Sequence, residues 1–179
     1  MLAAGIFAMI GFSTILTTIT WYAVKELQSS MALGYILVSA TVPRLLMMTF
    51  SGMVADKFKK TTIMYYSNIA EAAVMVILYF LIINNQLSLI PLMILAALFG
   101  MLDAFFGPAC TSLIPKVVKQ AQLQRANSLF QGGTQISFIL GPIVAGMIME
   151  SFSIATSFYV ALIFVFLSAI FVFPSFIKE

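Results

Sequence analysis

Arg44, Glu71 and Asp103 fall inside long apolar stretches of a chain that is 62% hydrophobic and only 8% charged. Each costs at least roughly 2.5–3.5 kcal/mol if left alone at the centre of a bilayer, so each must be paired or wetted. Arg44 stands 12 residues before Asp56 and Glu71 stands 9 after Thr62, which at 1.5 Å per helical residue gives depths of roughly 18 and 14 Å from one membrane face. Asp103 is expected to lie shallower. Side-chain reach makes the three depths overlap, so Arg44 can meet either acid and the spacing does not choose between them. A pair would brace helices; a buried acid that exchanges its proton would instead be a coupling site, with Asp103 and Glu71 as candidates. Cys110 is the single cysteine and histidine is absent, so an intrachain disulfide is excluded, and neither a metal site nor a cofactor is expected. An intramembrane hydrolase would want a Ser or Asp dyad or metal ligands. Glu71 and Asp103 fall on different spans without such a signature, so an enzyme is not expected.

The elements that must hold these charges follow from hydropathy. A mean hydropathy of +1.09 leaves too little polar surface to coat a soluble globule, and the apolar residues run in long blocks rather than alternating. The expected fold is an all-α membrane protein in a lipid bilayer. Six spans are placed at roughly 1–22, 31–53, 62–84, 88–110, 127–149 and 152–173. One bundle over 1–179 then comprises four spans in 1–110, an amphipathic cytoplasmic linker at 111–126, and two spans in 127–179. Met1 opens directly onto the first span with no basic leader or cleavage pattern, so that span is expected to stay. Lys57, Lys59 and Lys60 follow the second span, and Lys116, Lys119 and Arg125 follow the fourth, whereas the opposite loops hold only Lys25. The basic loops and both termini, with Lys178, are therefore expected in the cytoplasm of a multi-pass cell-membrane protein. Trp21 and Tyr22 at one interface and Tyr65 and Tyr66 at the other agree. The bases are too few and too confined for nucleic acid. Six spans divide into two triplets, and an odd count per unit inverts the second, so two inverted three-helix repeats are expected.

Two further patterns are specific. Gly52-Met53-Val54-Ala55-Asp56-Lys57-Phe58-Lys59-Lys60 is a charged hairpin between apolar spans. Gly52 would let helices approach, Asp56 would meet a helix amino terminus or a base, and the lysines would hold the loop inside. A solvated turn would show the same charges. In the fifth span Gly133, Ser137, Gly141 and Ala145 recur every four residues, followed by Gly146, with Pro142 interrupting the hydrogen-bond ladder. That is a smooth ridge for close helix packing. The hairpin resembles the cytoplasmic loop motif Gly-x-x-x-Asp-Arg/Lys-x-Gly-Arg-Arg/Lys of the major facilitator superfamily. Gly52, Asp56, Lys57 and Lys60 fit it, while Lys59 replaces a glycine and Thr61 the last base. The resemblance implies that these four act as a latch for one of two alternating states. Gly141-Pro142-Ile143-Val144-Ala145-Gly146 resembles the Gly-Pro-x-x-Gly-Gly core of the superfamily's exporters, with Ala145 for one glycine, which favours efflux.

Pro43-Arg44-Leu45-Leu46, the run Asp103-Ala104-Phe105-Phe106-Gly107-Pro108-Ala109, Leu113 to Pro115 and Arg125-Ala126-Asn127-Ser128 resemble the branch that includes macrolide-efflux and enterobactin-exporter-like proteins. The resemblance covers essentially the whole chain but only the amino-terminal half of a twelve-span fold. It implies secondary active, proton-coupled efflux of small amphipathic compounds by alternating access, with a second six-helix half in the same or a separate chain. The alternative is a half-length membrane protein without transport activity, as a truncated remnant or a partner subunit. Seventeen Phe and twelve Met suit a greasy adaptable pocket, although lipid-facing helices need them too. Asn127, Gln131 and Gln135 form a polar stripe on span five that would face a cavity or a neighbouring helix.

Overall fold

The computed structural model describes residues 2–26 and 30–173. Six helices follow one another: α1 (Leu2–Lys25), α2 (Ser30–Lys57), α3 (Lys60–Ile83), α4 (Leu89–Val117), α5 (Leu123–Ser151) and α6 (Ile154–Phe171). All six are long and apolar enough to cross a membrane, and no strand occurs among the described residues. The shortest, α6, has 18 residues, about 27 Å at 1.5 Å per residue, which nearly spans a hydrocarbon core of about 30 Å.

The helices overrun the boundaries that hydropathy sets. α2 continues to Lys57 and α3 begins at Lys60, so the charged motif is mostly helical and the turn itself is Phe58 and Lys59. Likewise α4 runs to Val117 and α5 starts at Leu123, which reduces the connection read at 111–126 to residues 118–122 with one 3-10 turn. Hydropathy detects where lipid begins, whereas a helix persists into the interface because its backbone groups still need partners. Pro115 removes one hydrogen bond near the end of α4 and does not stop it. α3 does stop cleanly. Asn85 takes a left-handed φ of 53°, Gln86 N–H bonds Leu81 O at 2.9 Å and Asn85 N–H bonds Ile82 O at 3.0 Å. That pair of bonds closes the exposed carbonyls of the last turn. Ser153 caps α6 by accepting the Thr156 N–H at 3.1 Å.

The packing is symmetric under exchange of the two triplets. α1 packs on α5 and α6, α4 packs on α2 and α3, and α3 packs on α6. Replacing α1, α2 and α3 by α4, α5 and α6 reproduces the same set of neighbours. With three helices per unit the second is inverted in the membrane, so the architecture is that of two inverted repeats. α1 is the most enclosed helix, while α2 and α5 are the least buried. Their apolar flanks, including Leu45, Leu46, Ile139 and Ile143, stay exposed on the side where the bundle is open.

Four glycines stand at close contacts, Gly5 against the Phe130 ring, Gly11 against Val165, and two against backbone or a short side chain of the facing helix. A Cβ on Gly100 of α4 would run into the Ala40 carbonyl oxygen of α2, and a Cβ on Gly141 of α5 would run into the Ser13 side chain of α1. In lipid, where apolar attraction between helices is weak, such approaches bring the backbones close enough for dispersion and interhelical hydrogen bonds to act. Two apolar clusters result. One gathers Phe12, Ile15, Met75, Leu78 and Phe99; the other gathers Met64, Phe106, Cys110, Leu113 and Phe130. In sequence both acids fall between them: Glu71 between Met64 and Met75 on α3, and Asp103 between Phe99 and Phe106 on α4.

Candidate functional site

At that seam Arg44 on α2 meets Asp103 on α4, with Nη2 2.9 Å from Oδ2. Of the two pairings that depth allows, this is the one the fold makes. The pair is half-sheltered: the Arg44 side chain is 36% exposed and that of Asp103 14%. The guanidinium also lies over the Phe12 ring of α1, 4.9 Å from its centroid, and Phe12 stacks on Phe99 of α4 at 5.7 Å. A planar cation suits both contacts, since it can address a carboxylate with its edge and a ring with its face. Glu71 on α3 is buried, feels the charges of both Asp103 and Arg44, and has one carboxyl oxygen, Oε1, without a hydrogen-bond partner. The three ionisable groups found in the sequence therefore form one cluster.

Arg44 walls two clefts. The first, about 130 Å³, is apolar and lined by Phe12, Ile15, Ile36, Phe99 and Phe138 among others. The second, about 480 Å³, is lined by Met48, Asp103, Thr111, Phe130, Gln131 and Thr134 as well as Arg44. Both open between the α1–α5 and α2–α4 pairs, and the second adds Asp103, Thr111, Gln131 and Thr134 to a lining that is otherwise mostly apolar. Of the polar stripe on α5, Gln131 reaches this cleft, whereas Asn127 and Gln135 are exposed outside it.

The α5 ridge packs against α1. Gly133 makes ordinary contact with Leu2 and Ile6 at 3.5 Å, Ser137 is buried and donates to Gly133 O at 2.7 Å, and Ala145 is fully buried. Pro142 has no N–H for the carbonyl four residues back, that of Phe138. The Ser13 hydroxyl supplies the donor, at 2.7 Å from Phe138 O, and Thr14 donates to Gly141 O at 3.3 Å. Gly141 thus permits the approach, and Ser13 uses it to satisfy the acceptor that Pro142 leaves open. Gly146 departs from the expectation: it meets nothing within 4 Å and belongs to the open side.

The motif after α2 also departs from it. Gly52 meets nothing within 4 Å, so among the described residues it brings no helices together. Asp56 and Lys57 are exposed, while Lys60 is buried with its Nζ 3.4 Å from Phe58 O. Asp56 and Lys57 thus face outward and Lys60 inward. The reading from sequence also missed a row of hydroxyls on α1. Thr18 shares a 2.7 Å hydrogen bond with Ser157 of α6, and Ser168 of α6 donates to Ala4 O at 2.9 Å while accepting from Asn68 of α3 at 2.8 Å. The signal was present in Ser13, Thr14, Thr17 and Thr18, polar residues recurring at helical spacing in an otherwise apolar span.

The family model described as Major Facilitator Superfamily matches residues 1–179. The chain is similar to an uncharacterized MFS-type transporter, YfiS, of Bacillus subtilis (strain 168), at 27% identity over 159 residues, covering 89% of this chain and 37% of that protein. It is also similar to a staphyloferrin A transporter of Staphylococcus aureus (strain NCTC 8325 / PS 47), at 23% identity over 159 residues, covering 87% of this chain and 40% of that protein. The chain thus spans about two-fifths of the length of these curated relatives.

Proposed function

We infer from membership of the Major Facilitator Superfamily, to which the chain belongs, that this six-helix bundle carries out secondary active efflux of small amphipathic compounds by alternating access, coupled to protons. The observation that carries the reading is Arg44 on the wall shared by two largely apolar clefts, paired with Asp103 in the one that also holds Thr111, Gln131 and Thr134, with Glu71 within reach of both charges. An apolar body would lie against Phe12 and Phe138, and a polar end would lie against Arg44, Asp103 and Gln131. The α1–α5 and α2–α4 pairs, each drawn together by a glycine, would move as units while the cleft between them changes its opening. A change in charge at either acid would alter the hold on Arg44 and with it the contact to Phe12. The basic ends of α2 and α4 would face the cytoplasm of the cell membrane. Gly52, Asp56, Lys57 and Lys60 would act as a latch, with Asp56 and Lys57, the two exposed members, meeting a surface outside this bundle. Export rather than uptake is favoured by the Gly141-Pro142 core.

A second reading is favoured by the open side of the bundle: with α2 and α5 largely uncovered, the chain would need a second six-helix half and not transport by itself. Proton-dependent efflux of a fluorescent amphipathic dye from cells expressing only this chain separates the two. Efflux lost in Asp103→Asn and Asp56→Asn supports a self-sufficient transporter. Well-inserted protein without efflux, rescued by co-expression of a matching six-helix half, supports the second reading. No efflux and no rescue overturns transport.

A further inference from the structure

The seam between the apolar clusters holds two carboxylates and one guanidinium, and the guanidinium is engaged by Asp103. Glu71 lies 4% exposed with Oε1 unpartnered. One helical turn back on α3, Asn68 is fully buried and its Oδ1 is also without a partner. Residues three apart on a helix are surface neighbours, with Cβ atoms about 5–6 Å apart. Asp103 Oδ2 also lacks an aligned hydrogen bond but has the Arg44 charge 2.9 Å away, whereas the neighbouring Asn68 and Glu71 acceptors have no such cation in contact, an arrangement that buried polar groups otherwise avoid.

The orientation of Asn68 follows from its neighbours rather than from its own density of contacts. Ser168 has a single O–H, and that proton goes to Ala4 O at 2.9 Å. Toward Asn68, Ser168 is therefore only an acceptor, so Asn68 must present its amide NH₂, at 2.8 Å. The Asn68 carbonyl is left for a donor. Glu71 supplies one only as the neutral acid, whose O–H is a donor that the carboxylate lacks.

We propose that Glu71 is a proton-binding site of this bundle, its neutral carboxyl donating to Asn68 Oδ1, with Asn68 held in register by Ser168 and the Ala4 carbonyl. One proton is taken up by the carboxylate and no electrons move. Asn68 is a positioning residue here and Asp103 is the acid that stays with Arg44. The proposal narrows the coupling role given above to two acids, and rests on that reading only for what the proton is used for. The charged groups that act on Glu71 are Asp103 from α4 and Arg44 from α2, with Cys110 two turns on from Asp103 along α4 and Lys60 at the start of α3. Farther along are Tyr65 and Tyr66 on α3, and Tyr159 of α6 beside Tyr79, while α1 offers none before Tyr22.

Infrared difference spectroscopy of the full chain in lipid nanodiscs, titrated across neutral pH, reads the site. The expected result is a carboxyl C=O band of a protonated acid at neutral pH that is lost in Glu71→Gln and kept in the double variant Arg44→Gln/Asp103→Asn. In Asn68→Leu the band should move to higher frequency, as for a carboxyl that has lost its hydrogen bond, and Ser168→Ala should move it less. Should Glu71→Gln fail to insert, the Asn68 and Ser168 variants still read the same band. A band kept in Glu71→Gln and lost in the double variant would place the proton on Asp103 and overturn the proposal. So would the absence of any protonated-acid band at neutral pH, or a band unmoved by Asn68→Leu. Failed dye efflux alongside the expected spectra would remove the transport reading and leave the proton site standing.

Discussion

Gly141→Ala measures how much the contact between α1 and α5 depends on one missing methyl group. The new Cβ would overlap the Ser13 side chain and come within 2.6 Å of its Oγ and 2.9 Å of its backbone carbon. A rotamer change cannot clear the backbone contact, so the two helices must separate. Overpacking of this kind costs about 1–3 kcal/mol. Separation also stretches the 2.7 Å bond from Ser13 to Phe138 O, worth about 0.6 kcal/mol for an average interhelical hydrogen bond in a membrane. Alanine's better helix propensity returns at most about 1 kcal/mol. The net expectation is a loss of roughly 1–3 kcal/mol. Gly146→Ala, where nothing lies within 4 Å, keeps only the propensity gain. The two substitutions, five residues apart on one helix, should therefore differ by roughly 2–4 kcal/mol. Reversible unfolding from mixed detergent micelles, followed by helical circular dichroism, gives both values. Equal stabilities for the two variants would refute the close-contact argument.

The same comparison on α4 pits Gly100→Ala, aimed at the Ala40 carbonyl, against Gly107→Ala, which meets open space; only the first should lower the unfolding midpoint or prevent insertion. Asp103→Asn strands the Arg44 charge. Breaking a buried pair costs about 3–5 kcal/mol, and the 36% exposure of Arg44 reduces that to about 1–3 kcal/mol, part of which should return in Arg44→Gln/Asp103→Asn. A double-mutant cycle on Thr18→Val and Ser157→Ala, whose hydroxyls lie 2.7 Å apart between α1 and α6, should show a coupling of about 0.6 kcal/mol and no more than about 1.7. Zero coupling would remove that bond from the account.

The six helices and their inverted grouping were legible because lipid forces long unbroken apolar runs and an odd span count forces inversion. The contact glycines were legible only in part. Gly52, Gly141 and Gly146 look alike in sequence, yet only Gly141 faces a helix close enough for a methyl group to matter, and spacing does not say what stands opposite. Depth along a span likewise brings Arg44 to the level of both acids, but the pairing depends on which way each helix is turned, and α2 packs on α4 rather than α3. The Asn68–Ser168–Ala4 chain was invisible because it joins three helices across 164 residues, and its last acceptor is a backbone carbonyl. The helical overrun at Lys57 and Val117 escaped hydropathy because charged residues at a membrane face look the same in a helix and in a loop.

The central claim is that the cleft beside Arg44 and Asp103 is a solvated pathway rather than a lipid-filled gap. With Cys110 replaced by alanine, single cysteines at Gln131, in the cleft, and at Phe166, on the outer face of α6, would be exposed in membranes to a membrane-impermeant maleimide. Maleimide reacts with thiolate in water, so a transport pathway predicts rapid labelling at Gln131→Cys, slowed by an amphipathic dye, and none at Phe166→Cys. If Gln131→Cys proves as inert as Phe166→Cys, the cleft is closed to water and the transporter reading fails.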